Sequence, residues 1–502
     1  MMKFLTPVAS LAICPRIVKT IGCLTGVLAL VVVPSHSIRA ADAAAARKPN
    51  IVFILADDLG WADVGCMGSK FYQTPNIDRL ASQGLKFKNF HQSQNCAPTR
   101  ACLMSGQYAP RTGVYTVGTL ARGNAQDRTM IPPENVTNLP LDRRTIADQL
   151  RAAGYATGMF GKWHLGNEGE FHPAKRGFEE AVVAEGSHFN IRTVPAMEIA
   201  PEVYDGDWIT DRAVEFMEKH RQKPFFLYVP HRLVHTPLQA KPGAAEKYEK
   251  VPPVGDQKNP IYAAMIESVD DSVGRIMAKL DELGLATNTV LIFTSDNGGI
   301  GSYGEPGAQS VTDNAPLRGG KGQLYEGGLR VPMIVRWPGV VCPGTTTGVL
   351  SAHVDLYPTF LEIGDARQPS QPLDGVSLVP VLRDPDVKLG RTAIYSHFPG
   401  YLEGYGKPTW RTTPAGMIIE GDWKLLQFYE DERFELYNLR EDLSEKQNLA
   451  AKNPGKVREL NQKFVTWRTG IGGVMPVRKT GESDAEPPSV KKRAEKKRDV
   501  GD

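Results

Sequence analysis

Short apolar runs alternate along the chain with stretches whose apolar residues recur at helical spacing. Ile51 to Leu55, Ala156 to Phe160, Phe225 to Val229, Val290 to Thr294 and Val331 to Val335 are the clearest runs. Such runs predict strands buried on both faces of a largely parallel sheet. Between them Ile266, Val269, Val273, Ile276, Met277 and Leu280 keep one helical face apolar, and Thr210 to His220 predicts a shorter amphipathic helix. The expected class is α/β: a large mixed, mostly parallel sheet sandwiched by helices, over residues 47–382. After about Leu382 the pattern changes. Strand-like pieces at Met417 to Ile419, Trp423 to Phe428 and Phe434 to Leu439 precede a helical segment from Val457 to Trp467. They predict a smaller C-terminal α+β unit over 383–475, an antiparallel sheet with a helix.

The termini read differently. Lys3, Arg16 and Lys19 precede an apolar stretch from Ile21 to Val33, and Ala40 and Ala41 follow it. Residues 1–40 therefore read as an export signal, and the mature protein is expected to be secreted or periplasmic. An uncleaved membrane anchor is the alternative, but the stretch is short for a bilayer, and no later stretch is long and apolar enough to span one. Residues 476–502 are rich in Lys, Glu and Pro and are expected to be a disordered basic tail. Much of the formal charge of +3 sits there, between Lys491 and Arg498, so no nucleic-acid partner is inferred. Signal removal would leave Cys66, Cys96, Cys102 and Cys342, too scattered for a disulfide framework.

Ligands of open α/β sheets collect at the carboxyl ends of the strands, so the residues following each run are the ones to inspect. Asp57 and Asp58 follow the first run, Lys162 and His164 the second, His231 and His235 the third, Asp296 and Asn297 the fourth. Adjacent carboxylates repel unless a cation lies between them. Asp57, Asp58, Asp296 and Asn297 offer hard oxygen donors, which favour calcium or magnesium over zinc. Helix capping by the first pair and a turn at Asp296 to Gly299 are the plainer alternative. Cys96 stands two residues before Pro98, which suits a first helical turn, and four before Arg100. A helix N-terminus and a guanidinium both favour an anion there, so Cys96 is either an activated nucleophile or a buried structural thiol.

These residues carry a resemblance. Cys96, Pro98, Arg100, Leu103, Ser105 and Gly106 match the signature C-x-P-x-R-x-x-L-x-S/T-G of the type I sulfatases of the alkaline phosphatase superfamily. Pro49 to Asp58, Thr74 to Asp78, Gly161 to Gly166, Ser295 to Gly299, Gly320 with Lys321, Glu326 to Pro332, Gly421 to Lys424 and Glu435 to Leu439 resemble further blocks of that family, in its order. The likeness runs from about Lys48 to Ala450.

The resemblance implies a sulfuric ester hydrolase. A separate maturation enzyme would oxidise Cys96 to formylglycine, whose hydrate attacks sulfur and then releases sulfate by elimination. Asp57, Asp58, Asp296 and Asn297, with the modified Cys96, would hold one calcium ion. Lys162, His235 and Lys321 would bind the sulfate group, Arg100 would steady the formylglycine oxygen, and Asp296 would act as base. His235, with Lys321, would protonate the departing alcohol, and His164 would assist sulfate release. His231 stays outside the set. Thr99 stands where the signature most often has Ser, a difference that bears on maturation. Export suggests a sulfated carbohydrate as substrate. The variable stretches Thr116 to Leu141, Asn167 to Glu202 and Tyr303 to Arg318 are expected to form the pocket rim. A phosphoric or phosphonic ester hydrolase on the same fold, and a non-enzymatic glycan-binding protein, are the rival readings.

Overall fold

The computed structural model describes residues 48–301, 311–404 and 410–480. The expected signal segment and the basic run after residue 480 lie outside the described residues. The main sheet has ten strands: β1 (Asn50–Ala56), β2 (Leu85–His91), β3 (Ala156–Gly161), β4 (Glu180–Glu185), β5 (Arg192–Val194), β6 (Phe225–Pro230), β7 (Thr289–Ser295), β8 (Arg330–Arg336), β9 (Thr345–Thr347) and β10 (Ser351–Ala352). Their spatial order is β9-β2-β8-β7-β1-β6-β3-β4-β5, with β10 also on β2. Every apolar run read from the sequence is one of these strands.

β1 lies at the centre and pairs in parallel with β6 on one side and β7 on the other. Both of its faces are covered, which is why the run is apolar throughout. Ile51, Phe53 and Leu55 enter one hydrophobic layer with Phe226 and Tyr228. Val52, Ile54 and Ala56 enter the other with Ile266, Val269 and Val273 of the helix Pro260–Glu282. Helices α1 (Cys96–Ser105), α2 (Asp205–His220) and α3 (Pro260–Glu282) belong to the part of the chain that carries the main sheet. Asn259 caps α3 by accepting the N–H groups of Ile261 and Tyr262, and Pro260 occupies the first turn, where its missing N–H costs nothing. Among the described residues no helix is long and apolar enough to cross a membrane.

The sheet is mixed because β8 runs antiparallel to both β7 and β2, and the edge strand β5 runs antiparallel to β4. An apolar run records burial on both faces but not direction, so pattern alone could not separate β8 from its parallel neighbours.

The smaller sheet comprises β11 (Ala393–Phe398), β12 (Ala415–Glu420), β13 (Trp423–Phe428) and β14 (Phe434–Asn438), all antiparallel neighbours in that order. Helix α4 (Pro454–Gly470) covers one face, where Leu460 and Phe464 pack with Ile418 and Leu425. The opposite face, with Ile394, Met417, Ile419 and Leu426, packs with Cys102 of α1 and with Leu329 and Val354 of the main sheet's surroundings. A further short strand, Val477–Arg478, pairs antiparallel with Met130–Ile131. Cys66, Cys96 and Cys102 are free, so no disulfide joins any two of them.

Candidate active site

Parallel pairing delivers the site. Ala56 and Ser295 are register partners on β1 and β7, so Asp57 and Asp296 leave adjacent strands at the same level. Leu55 pairs with Pro230 on the other side, which brings in the 231–237 loop and His235. β3 follows β6 and supplies Lys162 and His164. The antiparallel β8 begins at this same rim, so the segment leading into it, with Lys321 and Glu326, arrives from above. β2 ends here too and passes through residues 92–95 into α1, whose first residue is Cys96.

The floor of the site is carboxylate and its mouth is cationic. Asp57, Asp58, Asp296, Asn297 and Arg100 are all fully buried, and Cys96 is nearly so. Arg100 donates from Nε (3.0 Å) and a terminal nitrogen (2.7 Å) to Asp296 Oδ2. Its other terminal nitrogen donates to the Lys162 carbonyl at 2.6 Å. Lys162 Nζ lies 2.5 Å from Asp57 Oδ2, and Lys321 Nζ lies 2.7 Å from Asp58 Oδ2. The Lys162 and Lys321 side chains are only 15% and 13% exposed, so neither is a solvated surface lysine. His235 Nδ1 is 2.6 Å from the Thr236 carbonyl, leaving Nε2 turned to the site, 3.7 Å from Asp58 Oδ2. His164 is half-buried, with its inner Nδ1 unpartnered, and adopts a left-handed φ of 63°. His231 instead points away, its Nε2 2.9 Å from Ser272 Oγ.

This charge arrangement sets the protonation states. Burial opposes the charge of Asp57, but Lys162, His235, Arg100 and Lys321 together outweigh it and hold the carboxyl well below its ordinary range. Asp58 is held down in the same way, chiefly by Lys321 and His235. Asp296 is pushed up, by burial and then by the adjacent Asp57 charge, against the pull of Arg100. Burial, then Lys162 and Arg100, drive His164 well down, so its imidazole is neutral. Burial and Lys321 also lower His235 in the substrate-free site.

Helix α1 is buried along its whole length, and no side chain caps it. Asn95, the residue before it, uses its Nδ2 on Thr116 Oγ1 (2.9 Å) instead. The helix's first turn therefore brings unpaired N–H groups and Arg100 to Cys96, the environment expected at an anion site. Thr99 Oγ1 accepts the Ser93 N–H at 3.0 Å and pins the approach to Cys96, a bond that Ser could equally make. Gly161 is required: at φ 132° its missing Cβ would sit 2.0 Å from the Pro230 carbonyl oxygen, beside the turn that launches Lys162.

The donor set fits a hard divalent cation. Oδ1 of Asp57 and Oδ1 of Asn297 are buried acceptors without a hydrogen-bond partner, an arrangement that is costly unless something positive fills it. Asp57, Asp296 and Cys96 bring ligand atoms within 4.8 Å of one another. Neither Asp57 nor Asp58 caps a helix, and the Asn297 amide donates to Asp58 Oδ1 at 2.8 Å with its oxygen left over. The capping and turn alternatives therefore leave these oxygens unexplained.

Sequence reasoning missed the buried network behind Lys321. Glu326 Oε2 accepts from Arg330 Nε at 2.6 Å and lies 3.0 Å from His91 Nε2, while its Oε1 accepts from Lys424 Nζ at 2.9 Å. Lys424 also lies 2.8 Å from Glu445 Oε1, and Glu445 Oε2 accepts the Glu326 N–H at 2.7 Å. Glu326, Lys424 and Glu445 are fully buried. Lys424, on β13, thus neutralises the carboxylates that anchor the Lys321 segment. The signal available was the charged residue in the middle of an apolar strand, Trp423 to Phe428.

Comparison with known proteins agrees with this architecture. The family model described as Sulfatase matches residues 49–366, and that described as N-sulphoglucosamine sulphohydrolase, C-terminal, matches residues 320–468. A "Sulfatase" of Formosa agariphila is 35% identical over 84% of this chain and 89% of its own length. The human N-acetylgalactosamine-6-sulfatase is 34% identical over 67% of this chain and 66% of its own. Among solved structures, Ps i-CgsB in complex with k-i-k-neocarrahexaose has a TM-score of 0.72 at 30% identity, covering 89% of this chain and 99% of that one. The fold, the block order and these relatives place the chain in the sulfatase family of the alkaline phosphatase superfamily, the sulfuric ester hydrolases.

Proposed function

We propose that the protein, once exported, hydrolyses the sulfate ester of a sulfated carbohydrate, using formylglycine made from Cys96 and one calcium ion. The observation that carries the reading is the position of Cys96: a buried residue at a helix start, beside the oxygens of Asp57 and Asp296 and beneath a ring of cations. The Cys96 sulfur stands where the formylglycine oxygens would lie. The relatives support the substrate class, since one is named N-acetylgalactosamine-6-sulfatase and another was solved in complex with k-i-k-neocarrahexaose.

Asp57, Asp58, Asp296 and Asn297 would hold the calcium ion, which would neutralise sulfate oxygens and make a neighbouring hydroxyl more acidic. Formylglycine, as its hydrate, would supply one hydroxyl for attack on sulfur and a second whose deprotonation expels sulfate. Asp296, its carboxylate held in place by the paired donors of Arg100, would accept the proton of the attacking hydroxyl. Arg100 keeps that oxygen in place. Lys162 and Lys321 exchange their carboxylate partners for sulfate oxygens and stabilise the charge that builds there. His235 faces the site through Nε2. An anionic ester beside it opposes the downward push of burial, so the ring can hold a proton for the departing alcohol, with Lys321 close enough to assist. His164, neutral in the empty site, takes the proton of the second hydroxyl.

Peptide mass analysis across residue 96, on native material with measured sulfate release, tests the reading. Formylglycine in active enzyme is the expected result, with activity lost to chelator and restored by calcium. Activity from protein carrying only the free thiol would refute it. The same assays on phosphate and phosphonate esters separate the rival hydrolases.

A further inference from the structure

His235 does not sit on a regular element, yet its loop is fixed from below. His188, fully buried between β4 and β5, lies 2.9 Å through Nδ1 from Asp205 Oδ2 and 2.8 Å through Nε2 from the main-chain carbonyl of His235. The His235 carbonyl can only accept, so Nε2 donates to it, and with Nδ1 set against Asp205 the ring has one orientation. Asp205 opens α2, donates its own N–H to the His188 carbonyl at 2.9 Å, and lies 3.4 Å from Arg232. Arg232 donates in turn to the carbonyls of Ser187 (3.0 Å) and Gly186, and its own carbonyl accepts the His235 N–H at 3.0 Å. His235 is therefore held on both sides of its peptide unit, N–H and C=O, by one buried cluster. The opposite flank is pinned by the Val234 N–H on the Asp57 carbonyl at 2.7 Å. With the main chain fixed and Nδ1 committed to the Thr236 carbonyl, only Nε2 is free to point at a substrate.

We propose that His188, braced by Asp205 and Arg232, is a positioning residue that aims His235 Nε2 at the leaving-group oxygen. It does not touch substrate. As the S–O bond breaks, the proton on Nε2 passes to the departing oxygen, the alcohol leaves neutral and the imidazole is left neutral. The hydrogen bond from His188 sets how well that proton is aimed. The inference rests on the reading of His235 as proton donor.

The two amide side chains divide the roles of His188. Asn places its amide nitrogen near the position of Nδ1, keeping the bond to Asp205 and dropping the one to His235. Gln places its amide nitrogen near Nε2 and keeps the bond to the His235 carbonyl. Turnover is measured on a series of aryl sulfates from 4-nitrophenyl to 4-methoxyphenyl, because a good leaving group departs unaided whereas a poor one needs the proton. His235→Ala is the reference and should lose about 100-fold on the poorest leaving group and little on the best, the scale of general-acid assistance. His188→Asn should follow it with a loss of roughly 10- to 100-fold confined to the poor leaving groups. His188→Gln should restore the wild-type dependence. Should His188→Asn not fold, Asp205→Asn, which keeps the shape but weakens the brace, should steepen the same dependence. A uniform loss across the series in the His188 or Asp205 variants, with His235→Ala still selective, overturns the positioning role. A His235→Ala loss that is itself uniform removes the proton-donor reading and the inference with it.

Discussion

Replacing Glu445 by Gln should remove a pH dependence from the protein's stability. Glu445 is fully buried and shares the Lys424 ammonium with Glu326. Glu326 is held well below its ordinary range because, although burial opposes its charge, Lys424, Arg330 and His91 all favour it. Glu445 has the opposite fate: burial, with the Glu326 charge beside it, outweighs its share of Lys424 and raises it from 4.5 to about 7. Between about pH 4.5 and 7 the folded chain therefore holds a proton that the unfolded chain has released. Stability tied to this group is full below that window and lost as pH rises through it. At 1.36 kcal/mol per pK unit the whole loss is about 3 kcal/mol. The Glu326 contribution has the other sign but falls below pH 4.5, outside the window. Urea unfolding followed by tryptophan fluorescence, from pH 4.5 to 8, measures the difference between wild type and Glu445→Gln. The wild type should lose about 3 kcal/mol more than the variant across the window and then level off. Parallel curves would refute the assignment of the shared proton to Glu445.

Further outcomes follow from the same geometry. Cys96→Ala should abolish sulfate release while leaving the unfolding midpoint within a few degrees, since a single small side chain is lost; detectable turnover would contradict the role of residue 96. Lys321→Ala should lower kcat/KM for a sulfate ester at least tenfold, with a fall in kcat as well as a rise in KM, because the charge it removes both binds the sulfate group and stabilises the charge that builds on it; steady-state kinetics checks it. Asp57→Asn should weaken calcium affinity measured by calorimetry as well as activity, whereas an unchanged affinity would move the ion elsewhere. Gly161→Ala should cost more than about 2 kcal/mol in unfolding experiments, because a Cβ at positive φ meets the Pro230 carbonyl.

Much of the architecture was legible because β1, β3, β6 and β7 are buried on both faces and therefore read as apolar runs. The same property made the rim legible: Asp57, Lys162, His235 and Asp296 stand just where those runs end. β2 was not foreseen, since Lys86, Lys88 and Asn89 interrupt its apolar pattern with side chains that are not buried. The direction of β8 was not encoded in its composition. The roles of His188, Glu326 and Glu445 were hidden for a different reason: each acts through a partner more than fifteen residues away, and only folding brings the two together. Lys424 had been noted within a family block, and its place in an otherwise apolar strand was the one local sign of a buried counter-ion.

The reach of Lys424 into the chamber around Glu326 bears on any attempt to dissect this molecule. A fragment ending before β11 would keep every residue of the catalytic rim, yet strand a charged Glu326 with its main counter-ion deleted. Such a piece would have lost neutrality at the root of the Lys321 arm. Anyone grafting this chemistry onto a smaller carrier must therefore transplant the small sheet as well, or rebuild that hidden ammonium by design.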